Sequence, residues 1–351
     1  MKFAAAKVIF VALLSAASMP TVTSAMSEGD RLREYNERGY EWPIAELVPN
    51  TEGWKKIFKR RWEQIERIED NNARYNAWVQ SMSSAMTAKN FTENGWGLAR
   101  APPELLKELQ KKLRDNLETA PFEKDVDVIE NEMGSKPLFI ENVELNKKTL
   151  NELKPMHEEW SGVELEGSVA YGLRVYQNSS RLLMHVDKSN THVISCILHI
   201  DHSEDSEPWP IVIEDFQGNT NEVVLEAGDM LFYESSKCFH GRPHTFKGSW
   251  YSSIFVHYHP KHNWDQGQRQ IEAHYAVPPH WNQLKTPPYD DDLEELVMVG
   301  TSMKEPECEH VWCALKDSVK WYGPGIEGEV ITAGWKDRVK EKTVMEKREE
   351  L

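Results

Sequence analysis

The chain has 351 residues, with 57 Asp and Glu against 41 Lys and Arg, for a formal charge of -16. That length holds one large domain or two modest ones and is ample for a hydrophobic core. With 28% charged and 40% hydrophobic residues the composition is globular, and the acidic balance argues against a broad nucleic-acid surface or docking on anionic membrane, since both require Lys and Arg.

Residues 1–25 read as a secretory signal peptide. Lys2 and Lys7 surround the start of an apolar run, Val8–Ala17, that is too short to span a bilayer, and Thr23-Ser24-Ala25 offers small residues for cleavage. An N-terminal membrane anchor fits this short run less well. Without these residues the charge shifts from -16 to -18. Residues 26–165 then read as a helical N-terminal region. Trp54, Ile57, Phe58, Trp62, Ile65 and Ile68 recur at helical spacing. A second helix begins near Pro103, with Glu104 in its first turn and Leu106, Leu109, Leu113 and Leu117 on one stripe. Both stripes are best explained as core packing, and residues 119–165 carry no clear pattern.

The texture changes near Val169. Short strand-like runs follow at Val169–Tyr176, Leu182–Val186, His192–Ile200, Pro210–Glu214, Glu222–Leu225, Met230–Tyr233 and Trp250–Tyr258, separated by turns such as Gln217-Gly218-Asn219. Many short strands without helices between them predict a jelly roll or sandwich over 166–260, giving an α+β fold with helices in front. Residues 261–351 read as an irregular Pro- and Trp-rich extension that includes Asp290-Asp291-Asp292 and ends in a charged helix. The final Arg348-Glu349-Glu350-Leu351 resembles the Lys-Asp-Glu-Leu class of retention tags, with Glu349 in place of Asp. Joined to the signal peptide, it predicts a soluble protein of the endoplasmic reticulum lumen with no membrane span.

Four cysteines suit that compartment. Cys308 and Cys313 could close a small disulfide loop, while Cys196 and Cys238 could be free buried thiols or a second bridge. His310 between Cys308 and Cys313 makes a poor zinc site, because no second pair completes four ligands. Asn90-Phe91-Thr92 and Asn178-Ser179-Ser180 are glycosylation sequons.

The chemistry centres on His185-Val186-Asp187. A His and an Asp separated by one strand residue point to the same face and can reach one metal ion. His240 follows the apolar strand Met230–Tyr233 and supplies a second imidazole. Two His and one carboxylate leave coordination positions open, which is the facial triad of non-haem Fe(II) oxygenases. His244 is a weaker alternative to His240. His257 and His259 have no evident carboxylate partner and read as core or surface residues, as do His199 and His202. A Cys238 nucleophile beside His240 is conceivable, but a small buried hydrophobe is the better reading. Gly-x-Ser-x-Gly, phosphate-loop and dinucleotide signatures are missing from the sequence.

Over residues 165–260 the sequence resembles the iron(II)- and 2-oxoglutarate-dependent dioxygenases, particularly the prolyl 4-hydroxylase-like branch. The resemblance rests on Tyr176, His185-Val186-Asp187, Leu225–Tyr233 with its Gly228-Asp229 turn, and His240-Gly241-Arg242-Pro243. It implies a double-stranded β-helix holding Fe(II) on His185, Asp187 and His240, with 2-oxoglutarate as co-substrate, dioxygen as oxidant and L-ascorbate keeping the iron reduced. It places Tyr176 near a co-substrate carboxylate. The family's basic anchor about ten residues after the second His falls here on Trp250, so Lys247 is the first candidate, Arg242 the second and Arg174 a third. The expected activity is hydroxylation of prolyl or similar residues in secretory polypeptides. The alternatives are a non-catalytic jelly-roll binding protein of the same compartment and an oxygenase acting on a small molecule.

Overall fold

The computed structural model describes residues 51–124, 128–264 and 296–323. The expected signal peptide, the Asp290–Asp292 run and the C-terminal tag lie outside the described residues.

Four α-helices are present among these residues: α1 (Glu52–Ile65), α2 (Asn71–Thr87), α3 (Pro103–Asn116) and α4 (Val143–Ser161). Their starts follow from local chemistry. Thr51 accepts the Trp54 amide at 3.2 Å and Asp70 accepts the Ala73 amide at 2.7 Å, each satisfying an otherwise orphaned N–H. Pro103 begins α3 where its missing N–H costs nothing, and α4 stops at Gly162 in the left-handed region. The first helical stripe is interrupted: α1 ends at Ile65, and Ile68 packs from the following turn.

Two sheets form the body. One has the strand order β1 (Trp96–Arg100), β10 (Asp229–Tyr233), β7 (Ile194–His202), β12 (Trp250–Pro260), β5 (Leu173–Gln177), β3 (Leu138–Ile140), with β4 (Leu165–Ala170) also on β12. The other runs β13 (Val297–Val299), β14 (Ser302–Lys304), β6 (Ser180–His185), β11 (His240–Arg242), β8 (Ile211–Glu214), β9 (Thr220–Val224), β15 (Val319–Tyr322), with β2 (Ile129–Asn131) on β6. From β5 to β12 the chain passes back and forth between the sheets. It builds β10-β7-β12-β5 on one side and β6-β11-β8-β9 on the other, the topology of a double-stranded β-helix, or jelly roll.

Strand alternation decides what lies between the sheets. Tyr176, Tyr251 and Phe255 point inward and meet Ile211, Ile213 and Val223 of the opposite sheet. Their neighbours Leu173, Val175, Ile254 and Val256 point outward and meet Leu105, Leu109, Leu113 and Leu153 of α3 and α4. The Leu stripe of α3 thus covers the sheet, through Leu105 rather than a fully buried Leu106. Helix α1 docks on the second sheet through Arg60 and Arg61, which reach the buried Glu214 carboxylate at 2.6 and 2.7 Å.

Several sequence expectations need adjusting. The run Val169–Tyr176 is two strands, broken at Tyr171-Gly172. The front region contributes β1, β2 and β3 as well as helices, and α4 lies in the stretch without a pattern. The part after 260 is not wholly irregular: β13, β14 and β15 extend the second sheet. Cys308 and Cys313 form a disulfide, while Cys196 and Cys238 are free and buried. No helix among the described residues is long and apolar enough to cross a membrane.

Candidate metal centre

His185 ends β6 and His240 begins β11, and the two are direct cross-strand partners. Asp187 follows two residues after His185, where its backbone N–H donates to the Ser235 carbonyl at 2.9 Å. His185 Nε2 and His240 Nε2 stand 3.6 and 3.8 Å from Asp187 Oδ1. One ligand atom from each of the three residues lies within 4.8 Å of the others.

Hydrogen bonds fix the tautomers. His185 Nδ1 is 2.7 Å from the Leu183 carbonyl, and His240 Nδ1 is 2.9 Å from the Cys238 carbonyl. A carbonyl can only accept, so both Nδ1 atoms carry the proton and both Nε2 atoms present a bare lone pair. Burial, with His185 alongside, lowers the His240 pKa to about 4, so it is neutral near pH 7, as a metal ligand must be. Burial pushes the Asp187 carboxyl up, but His240, His185 and His257 outweigh it and hold the group well below the usual carboxylate range.

The triad lines a cavity of about 220 Å³ together with Tyr171, Arg174, Leu182, Lys188, His192, Tyr233, Phe255, His257 and Thr301. The residues fit a divalent transition metal. Two imidazole nitrogens and a carboxylate form a donor set suited to Fe(II), and Asp187 Oδ2 and Tyr233 Oη, both on residues that line the cavity, are buried polar atoms without hydrogen-bond partners among the described residues. Orphaned acceptors and donors beside a ligand triad match the needs of a polar co-substrate.

The three basic candidates separate clearly. Lys247 does not reach the cavity: its side chain is 68% exposed and pairs with Glu207 at 3.2 Å. The loop from Phe246 to Trp250 turns it to the surface, and this corrects its ranking. Arg242 is buried inside the barrel, bonded to the Trp209 carbonyl and, at 3.0 Å, to Tyr251 Oη, and does not line the cavity. Arg174 lines the cavity itself. Its Nε and Nη2 each donate to Glu123 at 2.6 Å, its guanidinium lies 5.0 Å from the Phe255 ring, and it acts with Arg242 on the Tyr176 hydroxyl. Tyr176 is fully buried between the sheets, with burial raising its pKa.

His257 is the other correction. It does have a carboxylate neighbour, since its Nδ1 is 3.6 Å from Asp187 Oδ2, and it is buried in the cavity wall beside His192 at a ring separation of 4.0 Å. Sequence alone hid this because His257 and Asp187 come from different sheets and are far apart in the chain. Thr301 and Tyr171 also had no signal in their spacing. His244 sits elsewhere, 2.9 Å from Glu222, and His199 is buried against His202 and stacked on Tyr251.

No protein-family model matches the sequence, and no curated protein matches it. The chain is similar in structure to a prolyl-4-hydroxylase of Pseudomonas putida, at 15% identity and TM-score 0.36, over 53% of this chain and 99% of that one. It is also similar to a prolyl hydroxylase from Trichoplax adhaerens in complex with a hypoxia inducible factor peptide fragment, at 11% identity and TM-score 0.37, over 57% and 93%. A third similar structure is HygX of Streptomyces hygroscopicus with nickel, 2-oxoglutarate and hygromycin B bound, at 9% identity and TM-score 0.35, over 48% and 84%.

Proposed function

We propose that this chain is an Fe(II)- and 2-oxoglutarate-dependent oxygenase that converts a substrate C–H bond to C–OH, with 2-oxoglutarate and dioxygen consumed and succinate and carbon dioxide released. The observation that carries the reading is the His185, Asp187 and His240 triad, with its three ligand atoms within 4.8 Å and both imidazoles set with Nε2 bare. Bound there, Fe(II) supplies the oxidising chemistry, and the protein supplies position and electrostatics.

Each residue then has a task. His185 and His240 would hold the metal with their bare Nε2 atoms, and the Leu183 and Cys238 carbonyls restrain their rings from turning. Asp187 contributes the negative charge that favours a dication. Arg174 is the carboxylate anchor we favour, because it is the guanidinium in the cavity and Tyr176 shares its field. The Tyr233 ring packs 4.5 Å from that of His240, and Phe255 adds apolar surface to the cavity wall.

The finer reading is hydroxylation of prolyl or similar residues in secretory polypeptides within the endoplasmic reticulum lumen, with L-ascorbate maintaining the reduced iron. It is supported by the resemblance around His185 and His240 and by the sequence of the two ends. One observation favours the rival reading of a binding protein without turnover: Glu123 already occupies two donors of Arg174. Succinate formation from 2-oxoglutarate with Fe(II), ascorbate and proline-rich peptides decides between them. Turnover that disappears in His185→Ala and Asp187→Ala supports the oxygenase, and a wild-type protein that binds no Fe(II) sinks it.

A further inference from the structure

One wall of the metal cavity has chemistry that the triad leaves unused. His257 on β12 is 3% exposed, and its Nδ1 lies 2.8 Å from Ser195 Oγ. It is not a fourth ligand, since only His185, Asp187 and His240 bring ligand atoms together there.

The hydrogen-bond chain behind His257 has a fixed direction. The His192 carbonyl can only accept, so Ser235 Oγ donates to it at 2.9 Å. Ser235 Oγ must then accept from Ser195 Oγ at 2.7 Å. The Ser195 proton is thereby spent, and Ser195 Oγ accepts from His257 Nδ1. His257 is therefore held as the neutral Nδ1–H tautomer. Its Nε2 carries a free lone pair, and no described residue donates to it. The ring plane is fixed by His192 at 4.0 Å and by Tyr171, edge-on at 5.6 Å.

Cavity size limits what can meet this acceptor. About 220 Å³ is below the roughly 300–1,000 Å³ of sites that enclose a small molecule, and the co-substrate must share it. One inserted side chain fits, while the rest of its owner must cross the mouth, where Tyr171 is 40% exposed. The donor that such a segment brings at every residue other than proline is a backbone N–H.

We propose that His257 is a substrate-positioning residue whose Nε2 accepts a backbone N–H from a polypeptide that inserts one side chain beside the metal. This rests on the oxygenase reading of the same site.

The test uses the full chain with Fe(II), 2-oxoglutarate and ascorbate, and two probes: a peptide of Ala-Pro-Ala repeats and the same peptide N-methylated at the alanine after each proline. The expected wild-type result is a KM at least tenfold higher for the methylated peptide. In His257→Phe the two KM values should coincide, and His257→Gln, which restores an acceptor, should recover part of the difference. A merely structural role for His257 would leave the wild-type-like ratio intact in every variant that folds, and that result overturns the proposal. So does a wild type that treats the peptides alike, or that turns over 2-oxoglutarate while hydroxylating neither. Nitrogen-15 NMR of the histidines provides an arm independent of turnover: an Nε2–H tautomer at His257 also overturns it. Failure of the oxygenase reading has a separate signature, which is no Fe(II) binding and no succinate.

Discussion

His185 and His240 face each other across β6 and β11, and each ring donates a hydrogen bond from Nδ1 to the carbonyl two residues before it, Leu183 and Cys238. The two imidazoles are thus oriented by nearby backbone, His185 by its own strand β6 and His240 by the segment just before β11. Anything that shifts one strand against the other should misplace a ligand.

Gly241 tests this directly. A Cβ there would sit 2.7 Å from the Leu183 carbonyl oxygen and 2.8 Å from that of Leu182, both backbone atoms with no freedom to swing aside. Gly241→Ala must push β11 away from β6 next to His240. The expected stability loss is about 1 to 3 kcal/mol, with Fe(II) or Co(II) affinity falling about tenfold or more. Metal titration followed by absorbance, alongside denaturant unfolding, reads both. Unchanged metal affinity in a folded variant would show that strand register does not set the ligand geometry.

The basic candidates give a second, opposed pair of expectations. Arg174→Met removes the guanidinium of the cavity and should raise the KM for 2-oxoglutarate about 10- to 100-fold, the scale of a charged hydrogen bond. Lys247→Ala removes a surface side chain that pairs with Glu207 among the described residues and should leave that KM alone. Steady-state succinate assays on both variants suffice. A large effect at Lys247 with none at Arg174 would reverse the assignment.

These residues also show how far the sequence could be read. The triad was legible because His185 and Asp187 are two residues apart, although β6 ends at His185 and Asp187 follows just beyond it, and because an apolar strand leads toward His240. The strand-rich middle was legible for the same reason: period-two patterns bounded by turns. Arg174 could not be ranked first, since its place beside the triad arises from β5 and β12 pairing across about eighty residues. His257 of β12 meets Asp187, which follows β6, from the opposite sheet, a contact that local sequence does not reveal. β1 was hidden because Trp96–Arg100 pairs only with the distant β10, and α4 was hidden by Pro155 and a weak apolar stripe.

The attachment of α1 depends on a buried charge cluster rather than on apolar packing alone. Arg61 is fully buried, and Glu214 is 3% exposed and serves both Arg61 and Arg60. Glu214→Gln strands the Arg61 charge against the Phe239 and Trp312 rings. Breaking one side of a buried pair typically costs about 3 to 5 kcal/mol. Urea unfolding should report a loss of that order. Replacing all three residues with apolar ones of similar volume should cost far less, because no charge is then left uncompensated. A loss below about 1 kcal/mol in Glu214→Gln would show that water reaches Arg61.

His157 sets an acid limit on the fold that is separate from the metal site. It lies on α4 between the rings of Phe232 and Tyr258, at 4.3 and 4.5 Å, with Nδ1 on the Leu153 carbonyl and Nε2 unpaired. Burial lowers its pKa from 6.5 to about 3. The unfolded chain therefore takes up a proton there at higher pH than the folded one. Above pH 6.5 neither state is protonated at this site. Between pH 6.5 and pH 3 the unfolded state binds the extra proton, so stability falls as pH drops, by about 1.4 kcal/mol per pH unit in the steep part. Below pH 3 both states are protonated and the slope from this residue ends. His157→Leu keeps the volume and loses the titration, so its stability should fall less steeply between pH 6.5 and 4 than that of the wild type, measured by denaturant midpoints at each pH. His240, with a pKa lowered to about 4, contributes in an overlapping window. The difference between variant and wild type therefore isolates His157. Equal slopes would mean that α4 opens to admit the proton before the rest of the protein unfolds.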